Sequence, residues 1–573
     1  MANNAGMTRT NVADRLTTLA RQRPNDLAVV SARRGGYDQI TFAQLDQDAT
    51  LLARGLVAMG VGPGKRMALL VKPGTEFVTL VFAVLRSGAT MVLVDAGLGK
   101  KNIVRCLEST QPDGFVGIPQ AQALRVLLRK RFPAARLNVT VGRRWFWGGE
   151  SLSSLRKLGA SSNRSPSPRE GGGGHLDLPH TSADDPAAVV FTSGSTGPPK
   201  GVLYRHETFV TQADEIQRQY GLAPGGVDLA CFPLFGLFNV ACGVTTVLPE
   251  MDFSRPASCD PEKLFRAANR WECTQAFASP AVWDRLSRHA VEHGDQIPTM
   301  KKVFSCGAPV PAAVIERTLA MVHSEAELHT PYGATESLPV ATIEAQEILG
   351  ETAEKTAAGQ GVCVGGRFDS IDWRVIRITD DPLATIDQTE ELPPGQIGEL
   401  IVRGPQVSRR YLPAADADHN AAAKIADGDH VWHRVGDVGY FDEQERFWYC
   451  GRKSHRVVTA QGTLFTECVE ARVNSHPHIR RSALVGVGDP GNQRACIVIE
   501  TLTEAASEPD PDSRQVQQTI DDIRAATAAF LAPSPVGGVW AMPSPLPVDI
   551  RHNSKIHRES IAEWAAARLA EER

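Results

Sequence analysis

Short apolar runs rich in β-branched residues alternate along this chain with stretches whose apolar positions recur at helical spacing. MALLVK, from Met67, reads as a strand. EFVTLVFAVLRSG then reads as a buried helix and ATMVLVD as the next strand, together filling Glu76 to Asp95. This is the most apolar stretch of the chain, but Arg86 and Gly88 interrupt it, and a membrane span needs about 20 unbroken apolar residues. AAVVFTS, VTTVLP, TQAFAS and KKVFSCG are further short strand-like runs, several of them separated by helical patterns. The rhythm predicts an α/β protein with largely parallel sheets.

Two stretches break it. Ser161 to Asp185 is rich in Ser, Pro and Gly without periodicity and is expected to be a flexible surface loop. Glu504 to Arg514 is similar but acidic, and is expected between two elements of the C-terminal part. A boundary is predicted near Gly451-Arg452-Lys453-Ser454. Before it, VGYFDEQERFWYCG reads as a β-hairpin; after it, RVVTA, SALVGVG and ACIVIE begin a small α/β unit. The expected organisation is a large N-terminal domain over 1–451 and a small, mobile C-terminal α/β domain over 452–573.

At 573 residues the chain is too long for one compact core. Charged residues make up 22% and hydrophobic ones 42%, an ordinary globular balance. The formal charge of −4 argues against a nucleic-acid binder that relies on a basic surface. The opening residues, MANNAGMTRTNVADRL, have no apolar core and no small-residue cleavage site, so no signal peptide is expected. Ten cysteines are scattered without a C-x-x-C pair, which disfavours a zinc site and suits small core residues in a reducing cytoplasm.

Chemistry concentrates at Val189 to Gly201, VVFTSGSTGPPKG. A buried strand runs into Thr192, Ser193, Gly194, Ser195, Thr196, Gly197 and Lys200. Glycines let backbone N–H groups turn toward an anion, hydroxyls add donors, and the lysine adds a mobile positive charge, a combination suited to polyphosphate. The spacing is not that of a Walker loop. This stretch resembles the phosphate loop of the adenylate-forming superfamily of acyl-CoA synthetases, luciferases and adenylation domains.

Five further matches follow in family order, and the resemblance spans nearly the whole chain. Ser305-Cys306-Gly307-Ala308-Pro309 resembles the turn that lies against adenine, implying a role for Gly307, Ala308 and Pro309. Pro331 to Glu336 resembles the Tyr-Gly-x-Thr-Glu motif. Tyr332, beside Gly333, can stack on a purine, Thr335 can bond the α-phosphate, and Glu336 can hold Mg²⁺, which prefers hard oxygen ligands. Asp437, closing His433-Arg434-Val435-Gly436-Asp437, stands where the family's carboxylate takes both ribose hydroxyls. Arg452 stands where the hinge arginine reaches the nucleotide, with Lys453 and Ser454 as hinge residues; Ser454 replaces the usual Asp. Lys555, in Arg551 to Ile556, stands where the catalytic lysine bridges carboxylate and α-phosphate, with Ser554 in place of Gly. ATP and Mg²⁺ are therefore the implied cofactors.

TPYGATESLPVA, GDVGYFDEQERFWYCGRKSHRV, TAQGTLFTECVEARVN and PVDIRHNSKIHRESIAEWA are similar to one branch, the β-lactone-forming ligases of bacterial long-chain olefin biosynthesis. That resemblance implies adenylation of a long-chain 2-alkyl-3-hydroxy acid, then attack by its own 3-hydroxyl to close the lactone. By the same analogy the partners are a thiolase-like condensing enzyme, a reductase and a β-lactone decarboxylase. Phe235, Gly236, Leu237, Phe238 and Val240 are candidates for an apolar acyl groove, with Gly236 widening it. No base for the hydroxyl is identified, although His206, His433 and His455 stand near motifs. A long-chain acyl-CoA synthetase or fatty acyl-AMP ligase remains an alternative, and so does a non-catalytic nucleotide binder, against which Lys200, Glu336, Asp437 and Lys555 argue.

Overall fold

The computed structural model describes residues 9–162, 177–191, 199–412, 417–502, 513–531, 536–548 and 556–572. Two large sheets dominate the N-terminal part. One has eight strands, ordered Tyr411–Leu412, Gly201–Arg205, Pro186–Phe191, Thr90–Leu93, Arg66–Leu70, Gly114–Gly117, Val139–Thr140 and Glu150–Ser151. The other has seven: Glu327–His329, Lys302–Ser305, Gln275–Ala278, Val227–Ala230, Thr245–Leu248, Leu27–Arg33 and Gly36–Thr41. The expected parallel pairing holds within both, apart from Gly36–Thr41 in the second sheet and the Gly201–Arg205 and Tyr411–Leu412 pairings in the first.

It does not hold for a third sheet built from Val362–Cys363, Phe447–Arg452, His430–Phe441, Gly398–Arg403 and Asp372–Ile376, which is antiparallel throughout. Only His430–Phe441 and Phe447–Arg452 are joined by a turn too short for the crossover that parallel pairing requires, which makes that pair a hairpin. The hairpin read from VGYFDEQERFWYCG is two of these strands, with Asp437 opposite Arg452.

The apolar stretch at Glu76 became the helix Thr75–Arg86, in which every residue from Val78 to Arg86 is buried. Arg86 itself is 2% exposed. Its guanidinium donates to the carbonyls of Ala13 and Asp46, to the Thr17 and Thr50 hydroxyls and to the Asp46 carboxylate. A buried charge is tolerable when its donors are satisfied this completely. Among the described residues no helix is long and apolar enough to cross a membrane. All ten cysteines are free, and eight of them are buried.

After Arg452 the chain leaves the large sheets. Val457–Thr459 pairs with Gly462–Leu464, and Ile479–Val487, Arg494–Thr501 and Val536–Ala541 form a separate sheet. The helices Thr466–Asn474 and Arg514–Phe530 cover one face, with Val469, Ile497, Ile523 and Val539 in one core. The helix Arg558–Glu571 covers the other, with Ala483, Val498, Ile561 and Ala565. Both cores draw only on residues beyond the Gly451–Ser454 motif. Most of the Ser/Pro/Gly-rich and acidic stretches, residues 163–176 and 503–512, lies outside the described residues.

Candidate active site

Parallel strands present their carboxyl ends on one side, where open α/β sheets bind ligands. Here Val227–Ala230, Gln275–Ala278, Lys302–Ser305 and Glu327–His329 end at Cys231, Ser279, Cys306 and Thr330, all bordering one cavity of about 2260 Å³. Lys200, Gly307, Ala308, Pro309, Tyr332, Gly333, Thr335, Glu336, Asp437, Arg452, Lys453 and Ser454 border the same cavity, so motifs spread over more than 250 residues converge. Thr192, Ser193, Gly194, Ser195, Thr196, Gly197 and Lys555 lie outside the described residues. Their chain neighbours Phe191 and Ile556, His557 and Arg558 are on the cavity wall.

The strand Gly201–Arg205 leaves Lys200 at the cavity by pairing closely with its neighbours. A Cβ at Gly201 would stand 2.6 Å from the Leu412 carbonyl and 2.9 Å from Val189. Tyr332 and Gly333 open a tight hairpin, Tyr332–Ala334 against Ser337–Thr342, rather than a turn into a helix. At Gly333 a Cβ would come within 2.7 Å of the Ser337 carbonyl. Two contacts outside the motif pin this hairpin: the Tyr204 hydroxyl donates to the Thr335 carbonyl at 2.7 Å, and the Ser408 amide donates to the Glu336 carbonyl at 2.8 Å.

Asp437 is 5% exposed. Its Oδ1 accepts from Arg452 Nη1 at 2.7 Å and its Oδ2 from the Tyr332 hydroxyl at 2.5 Å. Arg452 also donates to the Val435 carbonyl at 3.0 Å. Asp437 is the main reason the guanidinium holds its proton more tightly than usual. Burial, then the Asp437 charge, pushes the Tyr332 phenol up, so Tyr332 is a neutral donor. A carboxylate offers about four acceptor positions, so two remain for a diol.

Glu336 Oε1 accepts from the Tyr411 hydroxyl at 2.8 Å. Burial and then Glu336 raise that phenol's pKa. The ammonium groups of Lys200 and Lys424 stand 5.4 Å and 5.1 Å from the Tyr411 ring centre. Lys424 donates to the Ser408 carbonyl, and burial brings its pKa down to about 7 against the pull of Glu336. Among the described residues no group of three or more His, Cys, Asp or Glu is placed to hold a metal ion. Glu336, a carboxylate on the cavity wall, nevertheless fits Mg²⁺ bound chiefly through substrate phosphates.

Lys453 donates to the Thr379 carbonyl at 3.0 Å and to Glu399 Oε2 at 3.1 Å. Glu399 is also paired at 2.6 Å with Arg434, both side chains being almost fully buried. Arg456 forms an ion pair with Asp380. These bonds tie residues 453–456 to the antiparallel sheet and its loops. From the C-terminal unit, Arg558 pairs with both oxygens of Glu470 and bonds the Leu484 carbonyl at 3.1 Å. Beside it Glu467 borders the cavity, its carboxyl pushed up to about 7 by burial and by Glu470.

Of the three histidines, His433 and His455 border the cavity and His206 does not. Burial holds all three below the ordinary imidazole range, His206 and His455 at about 4, so each is neutral near pH 7. His433 Nδ1 lies 3.1 Å from the Ala423 carbonyl.

Phe235 and Phe238 border the cavity, and Phe235 stacks on Phe277. Gly236, Leu237 and Val240 do not border it. Gly236 faces the core instead, where a Cβ would lie 3.3 Å from Val78 and 3.4 Å from Thr246. Its small size serves packing between its helix and Thr75–Arg86, not the width of a groove. Tyr204, Tyr411, Lys424, Glu467 and Arg558 were missed by the sequence reading. Tyr204 and Arg558 lie only a few residues from Lys200 and Lys555, the one signal that could have found them.

Residues 16–412 match the family model described as AMP-binding enzyme. The chain is 43% identical over 570 residues, 98% of each chain, to an olefin beta-lactone synthetase of Stenotrophomonas maltophilia (strain K279a). It is 42% identical over 577 residues, 99% of each chain, to an olefin beta-lactone synthetase of Xanthomonas campestris pv. campestris. In fold it is similar to ATP-bound MatB from Rhodopseudomonas palustris, with a TM-score of 0.73 at 20% identity over 98% of this chain and 100% of that one. The chain belongs to the AMP-binding family of adenylate-forming enzymes and is an ATP-dependent, AMP-forming ligase.

Proposed function

We propose that the chain activates a long-chain 2-alkyl-3-hydroxy acid as its acyl-adenylate and then closes it to a β-lactone. The observation that carries this reading is the 43% identity, over 98% of both chains, to a protein named olefin beta-lactone synthetase. A cavity of about 2260 Å³ supports it, because a nucleotide alone would leave much of that space for an acid with long chains.

In the first step a carboxylate oxygen of the acid attacks the α-phosphorus of ATP and pyrophosphate leaves. Asp437 takes the ribose hydroxyls while Arg452 and Tyr332 hold its orientation. Gly307, Ala308 and Pro309 face adenine, and Thr335 bonds the α-phosphate. Lys200, with the loop Thr192 to Gly197, offsets phosphate charge, and Lys555 bridges carboxylate and α-phosphate as charge builds in the transition state. Bound by Glu336 and the phosphates, Mg²⁺ would neutralise part of the polyphosphate charge. In the second step the 3-hydroxyl oxygen attacks the acyl carbon, AMP leaves with the bonding pair, and the hydroxyl proton passes to solvent or to phosphate. Both reacting groups are on one molecule, so a pocket that orients them lowers the entropic part of the barrier.

Residues 1–451 form the nucleotide- and acid-binding domain in this reading. Residues 452–573 form the domain that carries Lys555, moving about Lys453 and Ser454. The enzyme would work in the cytoplasm beside the other olefin-pathway enzymes. Thioester formation by an acyl-CoA synthetase or acyl-AMP ligase would share the first step, but Ser454 and Ser554 depart from the pattern usual for that chemistry. The test is incubation with ATP, Mg²⁺ and the hydroxy acid, with and without coenzyme A, identifying products by mass and NMR. A β-lactone with AMP, formed without coenzyme A, is expected; a thioester formed only with it would overturn the lactone assignment.

A further inference from the structure

Positive charge is unevenly placed on this chain. Between Asp113 and Glu150 the sequence has seven Arg or Lys residues and no acidic one, although the chain's formal charge is −4. Arg129, Lys130, Arg131, Arg136, Arg143 and Arg144 are all exposed. Among them stand three large apolar side chains, Leu127 at 79%, Trp145 at 58% and Phe146 at 79% exposure. Scattered apolar side chains on a surface need no explanation; a group of them within a basic field does.

The group is built, not frayed. Trp147 is buried, and its indole N–H donates to the Thr140 hydroxyl at 3.0 Å. Arg125, on the helix Pro119–Leu127, donates to the Trp147 carbonyl at 2.8 Å and so ties that helix to the aromatic loop. Trp145 stacks on Trp147, and Arg143 stands 5.8 Å from the Trp145 ring centre. Trp145 and Phe146 are thus held outward from a fixed base.

The same helix forms cavity wall. Gln120, Ala121 and Leu124 border the cavity, together with Ile103 from the neighbouring helix Gly99–Thr110. Leu124 and Leu127 are three residues apart and share a helix face. The edge of the cavity and the exposed patch therefore meet within one helical turn.

We propose that this face docks the enzyme on an anionic lipid bilayer and presents the cavity edge to the lipid, so that the long-chain acid enters from the membrane surface. Trp and Phe seat at headgroup depth, and a cluster of Arg and Lys binds anionic headgroups; the two together are what an interfacial site requires. An acidic protein surface would match the charge but would offer no apolar layer for Trp145 and Phe146. Docking stands on the patch alone, whereas delivery of the acid rests on the long-chain reading given above.

The full chain is sedimented with vesicles of phosphatidylcholine containing phosphatidylglycerol, and with phosphatidylcholine alone. It is expected to pellet only with the anionic vesicles and to be released by high salt. Trp145→Ser combined with Phe146→Ser should abolish pelleting, and Arg129→Gln with Lys130→Gln should weaken it about thirty-fold. All variants should keep ATP-dependent pyrophosphate release with detergent-dispersed acid. A chain that stays in the supernatant with anionic vesicles, or variants that pellet equally, would overturn the proposal. So would a self-associated species, lost in the aromatic variant, without vesicle binding, which would assign the face to protein contact. Sedimentation needs no substrate, so its failure leaves the proposed reaction standing, and a failed lactone assay leaves docking standing.

Discussion

Replacing Asp437 with Asn tests the ribose site proposed there while keeping the side chain's shape. In the structure Arg452 donates to one oxygen and Tyr332 to the other, and both oxygens retain a further acceptor position. An amide has a single acceptor oxygen, and Arg452, which can only donate, will claim it. Tyr332 can turn to accept from the amide, so the cluster survives, but one ribose hydroxyl loses a charged acceptor. A hydrogen bond to a charged group contributes about 1.5–3 kcal/mol, so kcat/KM for ATP should fall roughly 10- to 150-fold. Pyrophosphate release is measured against ATP and against 2′-deoxy-ATP and 3′-deoxy-ATP, with a thermal melt to confirm folding. In the native enzyme each missing hydroxyl should be costly, and in Asp437→Asn one of those penalties should shrink, because the partner it loses is already gone. Equal deoxy penalties in both proteins, or an unchanged ATP dependence, would mean that Asp437 only braces Arg452 and Tyr332.

Lys555→Ala should lower pyrophosphate release by about 100- to 1000-fold while ATP binding, followed by calorimetry, stays largely intact. Gly333→Ala should destabilise the Tyr332–Ala334 hairpin by about 1–3 kcal/mol and weaken ATP binding, because its Cβ would meet the Ser337 carbonyl at 2.7 Å; an unchanged melting temperature would show that the hairpin has room. Glu467, whose folded carboxyl is raised to about 7, binds a proton more readily folded than unfolded, so its contribution to stability is fully present below about pH 4.5 and is lost as pH rises through 7. Glu467→Gln should therefore melt higher than the native chain at pH 8, by roughly 1–2 kcal/mol, with the difference vanishing near pH 4; a pH-independent difference would refute the assignment.

Much of the site was legible before any coordinates because phosphate chemistry is local. Lys200, Tyr332, Glu336, Asp437 and Arg452, each picked out from its own local motif, border one cavity, whereas the loop Thr192 to Gly197 lies outside the described residues. The hairpin that pairs Asp437 with Arg452 was legible for the same reason, since the two lie close together on strands joined by a short turn. Apolar periodicity likewise marked the helix Thr75–Arg86 and the strands around it. Periodicity reports which positions are buried, however, and not which partner buries them. Only the tertiary structure showed Arg86 saturated inside the core, the antiparallel third sheet, and Gly236 turned toward Val78 instead of the cavity. Tyr411 meets Glu336 across 75 residues and Tyr204 meets Thr335 across 131. Glu470 meets Arg558 across 88. Contacts of that separation are set by how sheets and helices pack, which no local run of residues encodes. The sequence by itself determined the chemistry of the motifs and their order. The tertiary structure decided which side chains brace them, and it alone joined the edge of the cavity to the exposed basic and aromatic face.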